Sequence, residues 1–248
     1  ERFDGTSHMD RTQSAISINN KKLIALFNNS DSRLMKLLNH NLNCEYVFDE
    51  KSESITVRSD APIDKEIGRR VINQIVKRSI SSQDKVRGII KKTTKELHKE
   101  IKSIGKKAVK LLKLDFVHAD IINLLGQLNF RLSFSQNQLE HAIEVGYLAG
   151  ILAEELKLDI ALAKRCGLLH DIGKALTHIQ EGSHAVLGAD IAEKCNESPI
   201  VVNAIRSHHN DVAPESAIAH IVTAADAISG ARPGARRETV TLYLDRVN

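Results

Sequence analysis

The string Leu168-Leu169-His170-Asp171-Ile172-Gly173-Lys174 sets an imidazole and a carboxylate side by side at the end of an apolar helical run, with a glycine that lets the chain turn directly after it. Groups of this kind are costly to bury without a partner. Two more stand in the same setting: His141 about one helix upstream and Asp226 downstream with two helices in between, each inside an apolar stretch of helical spacing. Several helices that bury imidazoles and carboxylates need a cation to neutralise and organise them, so the pattern predicts a helical bundle built round a metal.

The helices that would supply the bundle are legible from their 3.6-residue apolar period. They run over Asn137 to Leu156, Ile160 to His170, Ser183 to Cys195, Pro199 to His209 and Ser216 to Ile228. We assign 126–248 to this all-α domain, cut off after its last helix. Before it, residues 83–125 form a helical connector. Its buried stripe is Val86, Ile89, Ile90, Leu97, Ile101, Ile104, Val109 and Leu112, with lysines on the other faces. Residues 10–82 read as a small α+β domain. A strand, straight or bent, covers Ala15 to Phe27, and a short helix carries Leu34, Met35, Leu37 and Leu38. A hairpin pairs Glu45–Phe48 with Ser54–Val57, and a final helix starts at an Asp64 N-cap ahead of Ile67, Val71, Ile72, Ile75 and Val76. Residues 1–9, ERFDGTSHM, lack periodicity and read as an expression-vector remnant. The expected fold is therefore mostly α.

Composition narrows the setting. Aromatic residues are 4% of the chain and Trp is missing, which suits helices packed by Leu, Ile, Val and Ala. No run approaches the roughly 18 apolar residues of a membrane span. Cys44, Cys166 and Cys195 match neither a disulfide framework nor a zinc ribbon, which fits a reducing, cytoplasmic setting. The net charge of +4 is concentrated, since Lys85 to Lys113 holds eleven Lys or Arg. Lys91, Lys92 and Lys95 belong to that run, a face suited to nucleic acid.

Three further histidines are candidates for the same centre, and in the HD phosphohydrolases, which the chain resembles through its His-Asp pair, histidines at such places complete the shell of a second ion. His184 opens a helix after Glu181-Gly182-Ser183, and His208-His209 closes another before Asn210-Asp211. Neighbours on a helix point about 100° apart, so the spacing leaves open which of His208 and His209 ligates. Asp171 is suited to bridge both ions, and Lys174, one turn on, to hold a phosphate. The metal set is thus His141, His170, Asp171, His184, His208, His209 and Asp226, with Asp171 and Lys174 as the catalytic pair. Such a donor set favours a transition metal over Mg. Mn is the first choice, with Zn, Ni, Fe or Mg as the others, and its role is to turn a bridging water into hydroxide near neutral pH. After Asp226, the Pro-Gly loop carrying Arg232, Arg236 and Arg237 can grip phosphates.

His141, His170, Asp171 and Asp226 match the H…HD…D pattern of the HD phosphohydrolases, and longer motifs sharpen the likeness. IGRRVINQIV, LLGQLNFRLSFSQNQLEHAIEVGYLAGILA, AKRCGLLHDIGKA, EGSH, AIRSHHNDVAPES and AADAISGARPGARRET together resemble the ribonuclease Y family over nearly the whole chain after residue 9. The resemblance implies a KH-like RNA-binding domain ahead of an HD domain. It also implies an endoribonuclease that starts messenger RNA decay by cutting single-stranded regions through metal-bound hydroxide. In the family such a chain is part of a longer protein, held at the cytoplasmic face of the membrane by an N-terminal helix, in contact with RNA-decay partners and able to pair as a homodimer. One departure is plain: where KH domains carry a GXXG loop, the aligned residues are Asn29-Ser30-Asp31-Ser32, with no glycine and an added acid. A second is Phe134-Ser135, where the family more often shows tyrosine and glycine. The competing readings are an HD phosphodiesterase for cyclic or short nucleotides and an idle RNA-binding scaffold.

Overall fold

The structure is a computed structural model that describes residues 13–29, 32–133 and 136–231. It divides into two compact units, Glu1–Glu100 and Ile101–Asn248.

In the first unit the order is β1 (Gln13–Ser17), α1 (Lys21–Asn28), α2 (Arg33–Asn41), β2 (Glu45–Asp49), β3 (Ser54–Arg58) and α3 (Pro62–Arg78). β3 lies in the middle of an antiparallel sheet ordered β1-β3-β2, with Ile16 opposite Ile55 and Val47 opposite Thr56. Ile55 and Val57 point inward while Arg58 faces solvent, which is the period-2 alternation of a one-sided sheet. Against that face pack Leu23, Phe27, Leu38, Val71, Ile72 and Ile75, each at most 2% exposed.

Two local expectations are corrected here. The strand expected through Phe27 ends at Ser17, because the Asn20 side chain accepts from the N–H groups of Lys22 and Leu23 and starts a helix. Helix α3 begins earlier than Asp64: Ala61 is its N-cap, Pro62 takes the first-turn position where its missing N–H costs nothing, and Asp64 lies within the first turn.

Helix α4 (Gln83–Leu111) is a single uninterrupted helix that crosses the division between the units. Beyond it come α5 (Ala119–Leu128), the two-residue strands β4 (Leu132–Ser133) and β5 (Gln136–Asn137), α6 (Gln138–Glu155), α7 (Ile160–Leu169), a 3-10 turn (Ile172–Ala175), α8 (His184–Lys194), α9 (Pro199–Ser207) and α10 (Ala217–Ala231). The small β4–β5 pair is the one departure, among the described residues, from the all-α expectation for this half. The bundle core joins Leu125, Ala142, Val145, Ala149, Leu168, Leu169, Ile172, Ala189, Ile205, Val222 and Ala225.

Small residues set how closely the two central helices approach. A Cβ on Gly167 of α7 would lie 2.8 Å from Val145 O and Gly146 Cα of α6, so only glycine fits. Caps then fix where each helix begins. Asn137 accepts from Leu139 N and Glu140 N at the start of α6, and Asp159 from Leu162 N at the start of α7. Ser183 and Ser198 do the same for α8 and α9.

Candidate metal centre

Five helices bring the polar groups together inside the second unit. His141 lies in the first turn of α6, and His170 and Asp171 follow the last turn of α7. His184 opens α8, His208 and His209 follow α9, and Asp226 lies within α10. His141, His170, Asp171 and His208 are each at most 4% exposed.

Their ligating atoms fall into two groups. In one, His141, His170 and Asp226 offer atoms within 4.8 Å of one another; in the other, His184, His208 and His209 do the same. Asp171 stands between them and divides its carboxylate. Oδ2 is 3.3 Å from His170 Nε2 and 3.6 Å from His141 Nε2. Oδ1 is 3.2 Å from His184 Nε2 and 3.7 Å from His208 Nε2. Asp226 Oδ1 lies 3.0 Å from His141 Nε2 and 3.7 Å from His170 Nε2.

The outward ring nitrogens are tied down. His170 Nδ1 donates to Gly167 O at 2.7 Å and His208 Nδ1 to Ile205 O at 2.6 Å, which turns both Nε2 atoms inward. His141 Nδ1 meets Ser229 Oγ at 2.9 Å, and that hydroxyl donates to Glu144 Oε2 at 2.7 Å. The pair His208–His209 is placed by a turn at Asn210, which adopts the left-handed conformation (φ 64°) and donates its N–H to Ser207 O.

Three buried atoms at the centre have no hydrogen-bond partner: His170 Nε2, His208 Nε2 and Asp171 Oδ1. Buried polar atoms left in this way are expensive. Here all three face the space shared by imidazoles and carboxylates, the donor set of a divalent transition metal, so the residues fit such ions. Protonation fits as well. Burial alone would push His170 down, but the Asp171 and Asp226 carboxylates outweigh it and hold its imidazole up at about 10. Burial raises both carboxyls too, yet His170, His184 and His208 hold Asp171, and His141 and His170 hold Asp226, well below the ordinary carboxylate range. A cation would take the place of that proton. His209 is pushed down by partial burial and by His208 and His184, its Nε2 lying 2.9 Å from His184 Nε2.

Lys174 Nζ donates to Asp171 Oδ2 at 2.6 Å and to Gln138 Oε1 at 2.8 Å. Cys166 is fully buried in the core, its thiol pushed up to about 12 chiefly by burial. Lys91, Lys92 and Lys95 are exposed on α4, Lys92 being 3.8 Å from Glu96. Arg232, Arg236, Arg237 and the pair Phe134-Ser135 lie outside the described residues.

Sequence reasoning passed over four supporting residues. Gln138 and Ser229 are buried and hold Lys174 and His141, with Glu144 behind Ser229. Arg131 bonds Lys174 O and Thr177 Oγ1. Gly173 does lie in a turn, the 3-10 segment after Asp171, and there a Cβ would fall 1.9 Å from His184 O. Its work is close approach, which brings His184 up to Asp171.

The arrangement of His141, His170, Asp171 and Asp226 agrees with a family comparison: residues 139–231 match the family model described as HD domain. These residues are an HD domain. The chain around it is homologous to ribonuclease Y proteins. It is 37% identical to ribonuclease Y of Oleidesulfovibrio alaskensis over 247 residues, 100% of this chain and 48% of that protein. It is 38% identical to ribonuclease Y of Staphylococcus epidermidis over 96% of this chain and 46% of the relative. The ribonuclease Y of Enterococcus faecalis is 38% identical over 100% and 48%. The chain thus spans about half the length of the curated relatives it matches. Among the described residues, no helix is long and apolar enough to cross a membrane.

Proposed function

We propose that this HD-domain chain is a metal-dependent endoribonuclease that hydrolyses phosphodiester bonds in single-stranded RNA and so starts the decay of messenger RNA. The observation that carries this reading is the divided carboxylate of Asp171, one oxygen toward each of two histidine groups, with unpartnered buried atoms on both sides. When bound, a pair of divalent ions would supply an acidified water and charge for the phosphoryl oxygens. Mn is the first choice for seven ligands that include five imidazoles, ahead of Zn, Ni, Fe or Mg.

The remaining roles belong to the chain itself. Gly167 O and Ile205 O fix the tautomers of His170 and His208, and Ser229 with Glu144 orients His141. Lys174 supplies a cation beside Asp171 to meet the substrate phosphate. Lys91, Lys92 and Lys95, together with Arg232, Arg236 and Arg237, are the proposed RNA contacts. That the relatives are ribonucleases Y supports the substrate class. A homodimer, RNA-decay partners and a place for the longer protein on the cytoplasmic face of the membrane belong to the same proposal.

The test is a pair of incubations with Mn, one holding a 5′-labelled unstructured RNA and one a cyclic dinucleotide. Internal cuts in the RNA are the expected result. Turnover of the cyclic dinucleotide alone would replace the substrate, and turnover of neither would reduce the chain to a binding scaffold.

A further inference from the structure

The first unit carries two open concavities of similar size and opposite character. One, about 680 Å³, has Glu45, Arg58 and Asp60 as its charged lining residues, two acids against one base. The other, about 710 Å³, lies between α2 and the first turns of α4. Arg33, Lys36, His40 and Arg87 line it, Leu37 is buried there, and among the described residues no acid lines it. The two helices are joined there by Gln83 Nε2, which donates to Arg33 O at 3.3 Å. Asp84 is the acid beside it, exposed and 3.9 Å from Arg87, a separation worth little in water.

The basic lining also continues along the helix. Arg87, Lys91 and Lys95 follow one another at four-residue steps on α4, and all three are exposed. Residues so spaced share one helix face, so the concavity opens onto a ridge of cations about two turns long. A polyanion is the ligand such a lining selects. With no aromatic side chain except the His40 imidazole in the lining, stacking on bases has little to work with, and the contact would be with phosphates.

We propose that this α2–α4 groove binds the phosphodiester backbone of single-stranded RNA without sequence preference, in place of the glycine loop that residues 29–32 lack. It rests on the RNA substrate of the proposed function and names the surface of the first unit that holds it. Ser32 N-caps α2 and Arg33 and Lys36 lie on its first turns, so the groove begins where the altered loop ends.

Binding is measured by fluorescence anisotropy of the whole chain with a labelled oligouridylate in chelator, across a salt series. Because no turnover is read, the result does not depend on the HD centre. The variant is Arg33→Glu with Lys36→Glu and Arg87→Glu; the matched control reverses Lys51, Arg58 and Lys77, exposed residues of the same unit, to Glu. The expected result is an affinity loss of ten-fold or more in the groove variant, with a log–log salt slope flatter by roughly 2, at about 0.7 per phosphate contact on a single strand. The control should lose far less. Equal affinity and slope in the groove variant and the parent would overturn the proposal, and so would an equal loss in variant and control, which would make net charge the cause. Circular dichroism checks the fold, and a neutral Arg33→Gln with Arg87→Gln variant, expected to flatten the slope by about half as much or more, covers a misfolded triple. Failure of the parent to cut RNA would sink the proposed function and leave this binding result standing.

Discussion

The two units handle their charges in opposite ways. In the first, opposite charges settle one another near the surface: Glu66 accepts from Arg69 and Arg70, and Arg70 reaches on to Glu100. The interior behind them is apolar. In the second, four histidine and aspartate side chains go inside, and three of their atoms are left without hydrogen bonds. The contrast teaches where specificity is stored. A surface network can lose a member and rehydrate, whereas a buried constellation with unspent donors and acceptors keeps its form only if something charged completes it.

Several changes would break or sharpen this contrast. The largest effect is expected from His170→Ala combined with Asp171→Ala. RNA cleavage should fall to background and bound metal should be lost, while circular dichroism stays close to that of the parent. Full cleavage by the double variant would end the metal assignment. Smaller, and confined to one contact, is Gly173→Ala. The new methyl would press on His184 O, so destabilisation of about 1–3 kcal/mol is expected from overpacking, read by urea unfolding, with weaker metal uptake because His184 is pushed from Asp171. Unchanged stability and metal content would show that the 3-10 turn yields more easily than its contacts suggest.

The smallest effect belongs to the surface network. Burial raises Glu66, but its bonds from Arg69 and Arg70 prevail and lower it below 4.5. Its contribution to stability is therefore complete above that value and fades as pH falls through the lower folded one. Unfolding of the first unit followed from neutral to acid pH should show a modest loss in the parent that is blunted in Glu66→Gln. Identical pH profiles for the two would remove the network from the stability of that unit.

Most helices were legible because their apolar stripes repeat over several turns, and the HD pair was legible because its residues are adjacent in sequence. What failed was local and short. Ile16, Ile18, Leu23, Ile24 and Leu26 suit either period over so few residues, and the Asn20 cap that decides for a helix depends on a single side chain. The partners of the centre were hidden for another reason. Ser229 meets His141 across 88 residues and Lys174 meets Gln138 across 36, and no linear pattern records such meetings. The spacing of His208 and His209 left their roles open; the fold brings both within reach of His184, with His208 buried and anchored through Ile205 O and His209 more exposed.

One carboxylate serving two sets of imidazoles has a consequence for how this protein can vary. Drift at His209 or His141 touches a single half of the centre and leaves the other to compensate. Position 171 has no such slack: a replacement without a carboxylate takes negative charge from both halves in the same stroke, so the two cannot be retuned separately through it.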